Sequence, residues 1–222
     1  MQRATLSAVL AACLLLVSPA AELHAQAVTN EALNARFLVA ARTGDDAGLA
    51  RALAEGAAID SRNRLGETAL VIALKRNQSA MARKLIDAGA DVNLSALNGV
   101  TPLMAAAYAG DVESTEALLQ RGADWRPVDR IKKTAMIYAA GEGHTSIVRL
   151  LIARGADPDA PGEHGLTALM WAAGYGRDET VRALLAAGAK RSHRDDRGKS
   201  ALDIARENRF PDTVKLLESG GG

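Results

Sequence analysis

The stretch that decides the fold is TALMWAAGYGRDETVRALLAAGA, residues 167–189. It is rich in alanine, glycine and leucine, yet it carries Trp171 and Tyr175 in a chain with only 2 Trp, 3 Tyr and 2 Phe. Its two ends recur elsewhere. The Thr-Ala-Leu at its head returns as Thr68-Ala69-Leu70, Thr101-Pro102-Leu103, Thr134-Ala135-Met136 and Ser200-Ala201-Leu202, each 33 residues from the next. The Gly-Ala at its foot returns as Gly56-Ala57, Gly89-Ala90, Gly122-Ala123 and Gly155-Ala156, with Gly188-Ala189 closing this copy. A third marker, Gly66, Gly99, Gly165 and Gly198, keeps the same register and lapses once, at Lys132. Three independent markers in one register are the signature of a repeat architecture.

Each copy contains signals for two helices. The Thr at its head offers a hydroxyl to the first free amides of a helix. Pro102 falls just inside that helix, where a missing N–H is harmless. In the second helix Leu85/Ile86, Leu118/Leu119, Leu151/Ile152 and Leu184/Leu185 form an apolar seam. The glycine after the seam supplies the left-handed residue that ends a helix. Alanine pairs such as Ala106-Ala107 and Ala172-Ala173 let neighbouring helices approach closely. One such unit cannot bury its own apolar face, so the units must stack.

These motifs resemble the ankyrin repeat. NGVTPLMAAAYAGDVESTEALLQRGAD (98–124) and GEGHTSIVRLLIARGADPD (141–159) carry the likeness most clearly. The resemblance covers about residues 30–222 and implies an all-α solenoid of six helix-turn-helix-hairpin units. Their bounds are about 30–62, 63–95, 96–128, 129–161, 162–194 and 195–222, the first and last being atypical caps. One departure is consistent. The histidine of the family's Thr-Pro-Leu-His motif is replaced by Val71, Met104, Ile137, Met170 and Asp203, which exchanges a polar link for apolar contact. The last seam position reads Leu53, Ile86, Leu119, Ile152 and Leu185 and then Glu218, a charge expected to face solvent.

Residues 1–27 fit a different pattern. Arg3 precedes an apolar run from Leu6 to Val17, followed by Pro19 and Ala25-Gln26-Ala27. A run of about a dozen residues falls short of the roughly 20 that span a bilayer. The pattern is that of a cleaved secretory signal, with cutting expected after Ala27 and a mature domain from Val28 to Gly222. Leu10-Ala11-Ala12-Cys13 has the letters of a lipoprotein signal, but the run before Cys13 is too short and continues beyond it. Cys13 is the only cysteine, so the mature chain would form no disulfide. A periplasmic location is expected, without stable membrane insertion.

The charge balance narrows the partner class. Net charge is +1, with acids and bases interspersed, which lacks the basic footprint of a nucleic-acid binder. No phosphate loop or nucleophile elbow is present. His24 would leave with the signal, and His144 occupies the family's Gly-His position. His164 and His193 lie in successive hairpins without zinc-type spacing. No catalytic role, cofactor or metal is expected; a scaffold for an enzyme or metal site is the least favoured alternative.

The resemblance implies one protein partner, bound by a monomer through the concave face and hairpin tips. On each first helix three positions share that face by helical period. They are Ile72/Lys75/Arg76, Ala105/Tyr108/Ala109, Tyr138/Gly141/Glu142, Trp171/Gly174/Tyr175 and Ile204/Glu207/Asn208. The candidate contacts are Tyr108, Tyr138, Trp171, Tyr175, Arg76 and Glu142, because rigid aromatics on a concave surface make interface hot spots. Tyr138 and Trp171 admit either partner contact or packing against their own hairpins. Arg130, Lys132 and Lys133 form a local basic tip beside Tyr138, readable as a solvated turn or as a guide for an acidic partner. Trp125 is expected to pack within a hairpin. The chain is also similar to small exported ankyrin-repeat proteins of Gram-negative bacteria, a group associated with oxidative-stress defence or with neutralising toxins.

Overall fold

The structure is a computed structural model that describes residues 19–219, with side chains from Asn30 onward. The expected leader's Arg3, apolar run and Cys13 lie outside the described residues, as do positions 220–222. Twelve α-helices and one short 3-10 turn occur among the described residues, and no strands. They fall into six antiparallel pairs: α1 (Pro19–Thr43) with α2 (Asp46–Ala54), α3 (Ala69–Lys75) with α4 (Ser79–Asp87), and α5 (Pro102–Ala109) with α6 (Val112–Gln120). The series continues with α7 (Ala135–Glu142) and α8 (Thr145–Ala153), α9 (Ala168–Gly174) and α10 (Asp178–Ala186), and α11 (Ala201–Glu207) and α12 (Pro211–Glu218).

First helices stack on first helices and second on second, so the chain forms two parallel layers, the all-α solenoid that the resemblance implies. The local signals act where the sequence puts them. Thr68, Thr101, Thr134, Thr167 and Ser200 each accept a hydrogen bond from the amide three residues on. Each such cap is worth about 1 kcal/mol. Gly56, Gly89, Gly122, Gly155 and Gly188 all take positive φ at the ends of the second helices. The seam leucines Leu85, Leu118, Leu151 and Leu184 have no exposed surface, and the replacements Val71, Met104, Ile137 and Met170 are buried in the stack.

The two ends differ from the interior. Asp203 forms a reciprocal capping box with Ser200 and lies 3.4 Å from Arg194. Glu218 is exposed and pairs with Arg206 at 2.6 Å, as a solvent-facing cap requires. At the other end the sequence places the first copy near Asn30, whereas α1 begins at Pro19 and runs through the expected cleavage point. The alanine-rich segment Ala20–Ala27 has strong helix propensity, which favours continuing the helix upstream.

Five hairpins join the pairs, at 57–67, 90–100, 123–133, 156–166 and 189–199. In each, a backbone bond spans the tip, from the amide of Asn63 to the carbonyl of Glu67 and from its counterparts at Ala96, Asp129, Gly162 and Asp195. Successive hairpins are tied by two rungs. Near the base, an amide donates to a side chain one repeat earlier: Asp91 to Asp60, Asp124 to Asn93, and Lys190 to Asp159. Near the tip, Leu97 donates to the carbonyl of Leu65, Arg130 to Asn98, and Asp196 to His164. Between the third and fourth hairpins neither rung forms. Arg126 occupies the acceptor column and its side chain has no oxygen to offer; its guanidinium turns back to Asp124 at 2.8 Å. The amide of Glu163 likewise makes no bond to Ile131. A cavity of about 210 Å³ lies at this junction, lined by Trp125, Met136, Leu151, Ala156 and Ala160 among others.

Candidate partner-binding surface

The aromatics that the helical period assigns to one face do meet there. Tyr108 on α5 and Tyr138 on α7 pack edge to face, ring centroids 5.8 Å apart. Trp171 and Tyr175, at the middle and end of α9, stack at 5.9 Å with planes 17° apart. Both rings lie over Gly141, where a Cβ would make ordinary van der Waals contact at 3.8 Å from Trp171 and 3.9 Å from Tyr175. Lys133 joins the two pairs. Its ammonium sits 3.7 Å from the Trp171 centroid and 5.3 Å from that of Tyr138. Cation–π contacts of this kind contribute about 0.5–2 kcal/mol. They also hold the long side chain in one place.

Within the patch the roles separate. Tyr138 is half-buried and its hydroxyl donates to the Asp129 carboxylate at 2.5 Å. Burial and the Asp129 carboxylate both oppose ionisation, which pushes the phenol well above the usual tyrosine range. The other Asp129 oxygen accepts the amides of Ile131 and Lys133, so this buried acid braces the third tip. Tyr138 thereby ties its helix to its own hairpin, the packing alternative left open by the sequence. Trp171 is half-buried under Lys133. Tyr108 and Tyr175 are 56% and 52% exposed and are the accessible ends of the patch.

The charged candidates surround it. Arg76 caps α3 and is exposed, as are Glu142 at the end of α7 and Arg130 at the third tip. Lys132 adopts φ +55°, the left-handed region that its glycine counterparts occupy without a Cβ penalty. Trp125 is partly buried against the core, within the hairpin where it was expected. His144 precedes α8 and places Nε2 3.1 Å from the Tyr108 carbonyl, linking the turn to the helix that carries Tyr108. Among the described residues no three His, Cys, Asp or Glu side chains converge as a metal site needs.

The sequence reading missed an apolar row at the tips. Leu65, Leu97 and Ile131 are 64%, 62% and 46% exposed. The signal was available: large apolar residues stand in turns, where polar residues ordinarily serve. They extend the accessible surface from the helix face onto the hairpins.

A family model described as ankyrin repeats, in three copies, matches residues 37–129, 89–162 and 136–221. The chain belongs to the ankyrin-repeat family, whose fold is a protein–protein interaction module. No curated protein matches it. No helix among the described residues is long and apolar enough to cross a membrane.

Proposed function

We propose that the protein is exported to the periplasm of a Gram-negative cell, where it works without catalysis as a monomer. There it holds one protein partner against its concave face and hairpin tips. The observation that carries this reading is the exposure of Tyr108 and Tyr175 at the ends of a preorganised aromatic cluster. Side chains already fixed by stacking lose little freedom on binding, so their contacts translate efficiently into affinity. Arg76, Glu142, Arg130 and Lys133 frame the cluster with charge, and Leu65, Leu97 and Ile131 add apolar area at the rim. On the resemblance to small exported ankyrin-repeat proteins, we read the partner as an envelope protein of oxidative-stress defence.

The test has two parts. Mass spectrometry of the protein from a periplasmic fraction should show a chain that starts at Val28. A full-length species confined to the cytoplasm, or a lipidated Cys13, contradicts the export. A pull-down from envelope extract with that mature chain should retain one partner whose identity names the process; a toxin or secreted enzyme among the retained proteins would instead assign an inhibitor.

A further inference from the structure

The charges on the proposed binding face are not evenly silenced. At the second repeat Lys75 pairs with Glu67 at 2.6 Å, and at the sixth Lys199 pairs with Glu207 at 2.5 Å. Between those pairs the cations stand without acids. Among the described residues Arg76, Arg130, Lys132 and Lys133 have no carboxylate within 4.0 Å. Against them Glu142 is the one exposed acid among the described residues on the same stretch of helix face. Asp129 is buried, with its oxygens taken by the Tyr138 hydroxyl and two amides. Beyond this stretch the fourth hairpin is acidic, with Asp157, Asp159 and Glu163, and the fifth is basic again, with Lys190, Arg191, Arg194, Arg197 and Lys199 against Asp195 and Asp196. Glu163 and Asp196 crowd His164 at 3.8 and 3.7 Å on the fourth and fifth tips.

Resting on the protein-binding reading above, we propose that the partner presents an acidic, extended segment, with one carboxylate seated on the Lys133 ammonium. Lys133 suits an anchor better than the tip cations. It is half-buried, whereas Arg130 and Lys132 are exposed. The Trp171 ring covers one side of its ammonium at 3.7 Å and leaves other N–H groups free to donate. An ammonium partly stripped of water and held still binds a carboxylate more strongly than a mobile one on the surface. Apolar neighbours of that carboxylate then meet Tyr108 and Tyr175 on either side. The segment thus runs along the helix face from Tyr108 past Lys133 to Tyr175. Rim cations at Arg76 and Arg130 steer its approach and make the association rate depend on salt.

The probe is a short fluorescein-labelled peptide of alternating glutamate and leucine, titrated by anisotropy at low ionic strength. Its lysine–leucine counterpart is the control. The glutamate peptide should bind saturably, and weaken as salt is added. Lys133→Gln should reduce its affinity about tenfold or more, Lys133→Arg should retain most of it, and Tyr175→Ala should weaken it. Arg182→Gln, on α10 in the second-helix layer, should leave binding unchanged. Thermal melts of each variant separate lost contacts from lost folding, and Lys133→Arg remains informative if Lys133→Gln is unstable. Lack of saturable binding overturns the proposal, as does equal binding of the lysine peptide or an effect of Lys133→Gln no larger than that of Arg182→Gln. Failure of the broader reading looks different: a partner captured from extract would then be indifferent to Tyr108→Ala and Tyr175→Ala, whatever the peptides do.

Discussion

Arg126 stands across the third hairpin junction from Asp157 and accepts nothing from its amide, whereas Asp60, Asn93 and Asp159 each receive a backbone N–H at the same place in their own junctions. The stack is continuous on both sides of this point and loses two rungs at it. The gap coincides with a cavity beside Trp125, while Lys133 reaches Trp171 and Arg177 donates to the Gly141 carbonyl at 3.0 Å across the same junction. Repeat proteins distribute stability over nearest-neighbour interfaces, so one weak interface sets where opening begins.

Restoring the acceptor should therefore strengthen that junction. Arg126→Asn is expected to be more stable than Arg126→Ala by about 1 kcal/mol, the usual net worth of one hydrogen bond. The comparison with alanine cancels loss of the exposed Arg126–Asp124 pair. Hydrogen exchange gives the local readout, with the Asp157 amide slowed in the asparagine variant alone. Equal exchange in both variants would mean that the missing rung does not govern opening.

The last repeat should soften in acid through Asp203. Its carboxyl is held below the usual carboxylate range by the Ser200 amide and hydroxyl, with Arg194 and Arg206 nearby. A depressed folded pKa adds stability that is fully present above the unfolded value, near 4, and is lost as pH falls through the folded value. Denaturant midpoints measured between neutral and acid pH should fall less steeply for Asp203→Asn than for the parent, the variant being already weaker at neutral pH. Parallel curves would show that the capping box contributes no pH dependence.

The C-terminal face tests the solenoid's edge. Glu218 is exposed at the seam position that apolar residues fill in the other repeats, and Arg206 holds it at 2.6 Å. Glu218→Leu should leave an apolar edge and cause self-association, with little loss of helix content. Light scattering that shows the variant as monomeric as the parent would remove this residue from the role of cap.

The parts of the fold legible in the sequence were those written locally. Thr101 announces its helix because the hydroxyl and the amide it caps are three residues apart, and Gly122 announces the end because its backbone alone meets the demand for positive φ. The helical period likewise brought Tyr108, Tyr138, Trp171 and Tyr175 to one face. What it left open was which of them would be free. Tyr138 is claimed by Asp129, nine residues back in the chain, and Lys133 is claimed by Trp171 from the next repeat. Both are choices of side-chain rotamer, which spacing does not encode. The broken rung at Arg126 was visible in principle by aligning Asp60, Asn93, Arg126 and Asp159 in one column, but its meaning required knowing that this column accepts amides. The start of α1 at Pro19 has a related cause: the alanines of Ala25-Gln26-Ala27, which fit the pattern of a cleavage site, are also strong helix formers.

The central claim is that the concave aromatic patch grips a protein. The most direct measurement is the affinity of the partner captured from envelope extract for the parent, Tyr108→Ala and Tyr175→Ala, with thermal melts as folding controls. Both side chains are more than half exposed, so their removal should leave the fold intact. Each substitution is expected to cost about 2 kcal/mol, roughly thirtyfold in affinity, as truncating an aromatic hot spot does. Unchanged affinity for both well-folded variants would contradict the account and move the binding surface off this face.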